Sequence, residues 1–356
     1  MSKFRAFLKR KDIIFSGKRY GIDALGAMAQ GLFCTLLVGT ILNTLGQQLN
    51  IGFLNSIIVT IGKGEAAVGY TIGGLASAMV GPGIAIAIGH ALHCPPLVLF
   101  SLIPVGFATN AMGGAGGPLA VYVVAVVASE MGKLISKETK VDILVTPAVT
   151  VFVGVALAMV IAAPIGAAAN AFGQLIKNTT VLQPFLMGII VSVLVGVALT
   201  LPISSAAICA MIGISGIAGG AAVAGCCAQM IGFAVISFAD NGWGGFFAQG
   251  LGTSMLQMSN IIKKPLIWIP PTLAAAITGP VSTLVFKLEC TGVSAGMGTC
   301  GLVGPLGVLS DMGSTADMWI GLLTVCFILP AVLSYIFYFI MKKFGFIKSG
   351  DMKLNS

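Results

Sequence analysis

Two carboxylates, Asp240 and Glu289, lie in chain almost empty of charge: between Asp142 and Lys263 the only charged side chains are Lys177 and Asp240. An ionised group held inside an apolar medium is costly and is kept where it serves a function. Asp240 is followed by Asn241 and Trp243, with Phe238 and Phe247 on either side. A carboxylate and an amide exchange hydrogen bonds with hydroxyl groups, and an aromatic face stacks on the apolar face of a sugar-like ring. The same residues also suit a surface turn, because Asp-Asn-Gly is turn-forming and rings gather at membrane interfaces.

Glu289 closes an apolar run that begins near Leu266 and precedes a glycine-rich stretch. It either faces a cavity, with Thr291 beside it, or caps a helix end paired with Lys287. At the bilayer centre a bare carboxylate costs about 2.5–3.5 kcal/mol, so a deep position demands a partner or a proton. Gln249, Thr253, Ser254, Gln257, Ser259 and Asn260 form an uncommonly polar run, either a wet loop or a segment lined with hydroxyls and amides. His90, His93 and Cys94 fall on one helix face, but Pro95 and Pro96 end that helix and no further ligand cluster follows. We therefore expect no metal there, and a helix-end role or a solute hydrogen bond for His93. The candidate solute contacts are Asp240, Asn241, Trp243, Gln249, Thr253, Ser254, Gln257, Asn260, Glu289, Thr291, Asn110 and His93. No Gly-x-x-x-x-Gly-Lys loop is present, so the chain is not by itself an ATP-driven pump, and neither a cofactor nor a catalytic residue is expected.

The elements that must carry these residues are helices in lipid. With 57% hydrophobic and 8% charged residues the 356-residue chain has no material for a soluble domain of ordinary size. Apolar runs of roughly 20 residues exclude a transmembrane barrel, whose strands alternate over about 10. Such runs appear near 22–46, 66–90, 94–112, 116–134, 143–168, 181–201, 203–237 (a span or a broken pair), 265–286 and 317–341. Eight to ten crossings follow. Residues 1–20 form a basic interfacial segment, 21–341 one membrane domain and 342–356 a short tail.

Seven of the nineteen cations lie between Lys3 and Arg19, at the end of an apolar segment and not on a polar face. They argue against nucleic acid and for a cytoplasmic N-terminus. Phe7, Leu8 and Ile13 interleaved with Arg10 and Lys11 describe a short helix lying on the inner leaflet. Lysines at 133, 137, 140, 263, 264, 342, 343, 348 and 353 mark further cytoplasmic turns and a cytoplasmic C-terminus, so the crossings are even in number. The eight cysteines lie in apolar surroundings without paired spacing and are expected to be buried hydrophobes.

Gly113 to Pro118, Gly213 to Gly225 and Gly292 to Gly307 are apolar yet glycine-rich, the last with six glycines in sixteen residues. Glycine in a membrane helix permits close packing, but the density of the third stretch, with Pro305 and Glu289, points to a re-entrant or broken helix lining a cavity. Met112 to Leu119 and Met297 to Leu306 share a Met-Gly start and a Gly-Pro-Leu end.

Ile143-Leu-Val-Thr-Pro147 with Thr150, continuing through Gly154 to Pro164-Ile-Gly166 and Asn170, resembles the membrane component, enzyme IIC (EIIC), of the phosphoenolpyruvate-dependent sugar phosphotransferase system. Lys264-Pro-Leu-Ile-Trp-Ile-Pro270 is similar to the Asn-Pro-Leu signature of that family. The resemblance implies an all-α polytopic membrane protein of about ten transmembrane helices with re-entrant glycine-rich hairpins, a homodimer in the plasma membrane, and a mobile substrate domain. It also implies a small, sugar-like polar solute and separate IIB and IIA proteins as phosphate donors. The family's Asn-Glu-Pro motif is replaced here by Gly252-Thr253-Ser254, with no carboxylate, which brings the chain closer to the divergent PfoR-like branch. Two readings stand: an EIIC-type permease, and a non-transporting membrane sensor or regulator that keeps the permease fold.

Overall fold

The structure, a computed structural model, describes residues 3–62 and 67–354. Residue 66, where the second apolar run begins, and the last two residues of the tail lie outside that range. The chain divides into two compact units, Met1–Ala168 and Ala169–Ser356.

In the first unit α1 (Lys3–Arg10) is the expected basic interfacial helix, with Phe7 under the Arg10 guanidinium at 5.2 Å and the Lys11 ammonium at 5.6 Å. A long helix, α2 (Arg19–Gln48), follows. Strands β1 (Val59–Ile61) and β2 (Val68–Tyr70) pair antiparallel, Thr60 opposite Gly69, and are the only strands among the described residues. Then come α3 (Ile72–Ala78) and α4 (Val80–Ala91), bent by 54° at Met79. Next are α5 (Pro96–Gly113) and α6 (Gly117–Ile135). Gly114, at φ +51°, turns the chain between them, and a Cβ on Gly132 would touch Val98 while one on Gly117 would touch Asn110. The stretch 96–135 is therefore a helical hairpin.

The unit boundary falls inside α7 (Asp142–Thr179), a 38-residue helix. The second unit continues with α8 (Pro184–Thr200), α9 (Ser205–Ile212), α10 (Gly216–Ile236), α11 (Phe238–Phe247), α12 (Met258–Lys263), α13 (Pro265–Phe286), α14 (Val303–Met312) and α15 (Ala316–Lys343). Among the described residues six helical stretches are long and apolar enough to cross a membrane, seven if the bent α3–α4 pair is one span.

Each glycine-rich stretch does something different. Gly213 (φ +66°) and Gly216 (φ +60°) break the 203–237 run into α9 and α10. Gly292–Gly307 is not one helix: single turns at Ser294–Gly296 and Cys300–Leu302 are separated by Gly298 at φ +54°, and α14 begins only at Val303. Within α10, by contrast, glycine serves close packing. Six of the eight cysteines are buried as expected; Cys34, on α2, is exposed, and Cys94, in the turn between α4 and α5, is partly so.

Helices in lipid gain little from burying apolar area against one another, so contact depends on how closely backbones approach. A Cβ on Gly225 of α10 would lie 1.8 Å from the Ser192 carbonyl oxygen of α8, far inside contact distance. Gly225→Val should therefore lower the melting temperature sharply or abolish folded protein in detergent, an overpacking cost of about 1–3 kcal/mol or more. Gly244→Ala, where nothing lies within 4 Å, should melt with the parent.

Candidate functional site

Leu288 to Gly292 is non-helical chain laid along the start of α10, with Cys290 N–H donating to Gly216 O at 3.2 Å and Gly292 N–H to Ile214 O at 2.9 Å. The missing side chains of Gly219 and Gly220 make room, because a Cβ on either would fall within 1.8 Å of a carbonyl oxygen of this segment. The segment holds Glu289, exposed, on the wall of a cavity of about 590 Å³. Lys177 and Thr180 line the same cavity, together with the α9–α10 turn from Ile212 to Ala218. One carboxylate, one ammonium, the hydroxyls of Thr180 and Ser215 and the backbone of an open turn suit a compact solute with several hydroxyl groups. Among the described residues Lys287 makes no ion pair with Glu289, and Thr291, also exposed, does not line the cavity.

The other candidates of this unit gather elsewhere, around the C-terminal tail. Asp240 Oδ1 accepts from Gly350 N–H at 2.9 Å and Oδ2 from Met352 N–H at 3.3 Å. Asn241 donates to Met352 O at 2.9 Å and accepts from Leu354 N–H at 2.8 Å. Gln257 donates to the same Met352 oxygen and to Gln249 Oε1, both at 2.9 Å. Asn260 donates to Lys353 O at 2.9 Å and Gln257 Oε1 at 2.8 Å. Lys264 pairs with Asp351 at 2.6 Å. Burial alone would raise the Asp351 carboxyl, but bonds from Lys264 and Lys348 N–H outweigh it and hold it below the ordinary range.

Thr253 accepts from Met255 N–H at 3.2 Å and so starts a turn, and Ser254 pairs with Thr200 at 2.8 Å, both buried. Trp243 is 66% exposed and packs on Phe238 at 5.1 Å and Phe247 at 6.0 Å. Asp240, Asn241 and Trp243 thus stand apart from the cavity at Glu289.

Asn110 and His93 belong to the first unit, Asn110 where α5 meets the start of α6. His93 ends α4 with φ +57° and bonds Asp12 Oδ2 at 3.1 Å. Asp12 organises a charge network at that end: Arg19 forks onto both its oxygens at 3.1 and 2.5 Å and also donates to Leu92 O at 2.7 Å. Buried Lys133 donates to Asp12 O and Leu92 O at 3.0 Å and pairs with Glu130 at 2.9 Å. Lys11 donates to Ser136 O, and with Arg10 it pairs with Glu138.

Sequence reading passed over three groups. Lys177, the lone cation of its region, carried a signal that was available. Gln229 is fully buried in α10, donates to Thr272 at 3.1 Å and accepts from Trp268 at 3.0 Å; a lone amide in an apolar helix was its signal. The tail's grip on Asp240 had none, since the partners are 110 residues or more apart.

Membrane-length helices around buried polar side chains define a multi-pass helical membrane protein. A family model described as Phosphotransferase system, EIIC matches residues 22–354, and the chain belongs to that family. No curated protein and no solved structure matches it.

The Arg19 fork is the main cause that holds the Asp12 carboxyl down, at about 2 against an ordinary 3.8. A depressed carboxylate lends stability above its ordinary value and loses it as pH falls through its folded one. The melting-temperature gap between the parent and Asp12→Asn should accordingly be full above about pH 4 and close toward pH 2. The effect will be modest because Asp12 is 41% exposed.

Proposed function

We propose that this EIIC-family protein is a permease that takes a small, sugar-like polyhydroxylated solute into the cavity at Glu289 and moves it across the cytoplasmic membrane. The observation that carries this reading is Glu289 on non-helical chain at the wall of a 590 Å³ cavity, within the 300–1,000 Å³ usual for ligand sites. Non-helical backbone at membrane depth is tolerated where it lines a cavity, so Gly292–Gly307 is read as a re-entrant element. Counting the α5–α6 hairpin as two crossings, and adding α8 and the re-entrant arm, brings the spans toward ten.

Phe233 and Ile236 at the C-terminal end of α10 pack with Ile261, Ile267, Tyr338 and Ile347, whose segments carry Lys263, Lys264, Lys342, Lys343 and Lys348; the positive-inside rule favours a cytoplasmic side for that end and the C-terminus, as the cations from Lys3 to Arg19 do for the N-terminus. The cavity, at the other end of a 21-residue helix about 30 Å long, then opens outward. Family membership supports a homodimer and separate IIB and IIA partners that phosphorylate the solute. The sensor reading is favoured by one observation: Asp240 and the amides near it hold the chain's own tail, not open space.

The experiment is a thermal-shift screen of purified protein against sugars, sugar acids and sugar phosphates, since a ligand that binds the native state raises apparent stability. Glu289→Gln should weaken the ligand found by about tenfold or more, the loss of a charge-assisted hydrogen bond, while its unliganded melting stays at the parent's. Equal affinity in a folded Glu289→Gln protein would remove the cavity as the site. Counterflow of that ligand into proteoliposomes separates permease from sensor.

A further inference from the structure

Buried polar side chains of the second unit form one connected seam. Thr200, Ser254 and Gln229 make one patch, with Thr200 Oγ1 3.4 Å from Gln229 Oε1. Ser237, Gln249 and Gln257 make another, with Gln249 donating to Ser237 Oγ at 2.8 Å. The single turn Ser254–Gln257 joins them. All these side chains are buried. Gln229 lies seven residues from the end of α10, so the seam runs about 10 Å inward from the lysine-bearing end. Its outer end is covered by the tail.

We propose that residues 345–354 are a strap that seals this polar seam, and that the strap opens as a unit while the rest of the fold stays intact. The grip is made of side-chain bonds to tail backbone: Asp240 and Asn241 accept from its N–H groups, and Asn241, Gln257 and Asn260 donate to its carbonyls. The tail itself forms no regular helix or strand, and its buried apolar anchors are Ile347 and Met352. Gly345 at φ +77° and Gly350 at φ +90° supply turns at its root and middle.

A permanent brace in so apolar a chain needs only packed hydrophobes. Here a carboxylate and three amides face the tail; if it left, Asp240 would lose both its N–H partners and each amide its bond to the tail, keeping only bonds within the body of the unit, a cost in a dry gap. They are tolerable in the released state only if water or a polar solute reaches them. Release thus hydrates the mouth of the seam, and the groups that hold the strap become the groups that line the opening.

The test is limited tryptic cleavage of the full chain in mild detergent, read by intact mass at Lys348 and Lys353, beside hydrogen exchange of the peptide 249–263. Clipping should run at least about tenfold faster than global unfolding and leave a protein that still melts cooperatively, as a sub-global opening requires. Met352→Asp should speed clipping about tenfold and raise exchange in 249–263 but not in 216–236, because a buried anchor becomes a charge. Lys264→Gln, a milder change, should shift both in the same direction by less, and Met352→Leu should leave both at the parent's rates. The strap is overturned if clipping only keeps pace with global unfolding, or if Met352→Asp and Lys264→Gln both lose the cooperative melt. It is overturned too if exchange in 249–263 is unmoved once the tail is clipped. None of these outcomes depends on the cavity at Glu289.

Discussion

In lipid there is no water to pair a polar atom, and the whole design follows from that. Backbone groups satisfy themselves in helices, and polar side chains must find partners inside the chain. Gln229 shows the consequence: fully buried, it is tolerable because Thr272 and Trp268 take its donor and acceptor. The same rule decides where the backbone leaves the helix. Leu288 to Gly292 has no helical bonds of its own, and it borrows partners from the α9–α10 turn, Gly216 O and Ile214 O. Gly219 and Gly220 make that borrowing sterically feasible, so the position of Glu289 depends on two residues that carry no side chain.

Fold class was largely legible because it rests on local pattern. The apolar runs at 94–112 and 116–134 match α5 and α6 closely, and the Gly292–Gly307 break follows from glycine density together with Pro305 and the neighbouring Glu289. The β1–β2 ribbon and the 54° bend at Met79 were not legible, since neither carries a local signal that competes with the apolar pattern around it. Of the site, Glu289 was readable as a charge out of place. Asp240 looked the same in sequence and serves the tail instead. A carboxylate short of partners reads alike whether a solute or a backbone N–H completes it, and the chain that completes Asp240 returns from 110 residues away.

Both ends of the described chain are fastened at a lysine-bearing end of their own unit. Near the N-terminus the cation is the buried partner: Lys133 and Arg19 donate to carbonyls and to Asp12. Near the C-terminus the anion and amides are in the body of the unit, and the incoming segment supplies its backbone. The first arrangement holds an amphipathic entry segment with charge, while in the second the polar bonds are made chiefly to the backbone of the segment.

Magnitudes decide what holds the C-terminal segment. The Lys264–Asp351 pair is conspicuous at 2.6 Å, but its side chains are 28% and 21% exposed, and a pair this close to water contributes about 0.2–1 kcal/mol. Burying Met352 and Ile347 contributes about 1.5–3 kcal/mol each. Bonds to the Asp240 carboxylate add about 1.5–3 kcal/mol when fully desolvated, less here because Asp240 is partly exposed. The apolar anchors therefore set how firmly the segment is seated, and Asp240 with its neighbouring amides sets the register. Lys264 acts chiefly on the approach of the segment, where its charge is felt over about a Debye length of 8–10 Å before any bond is made.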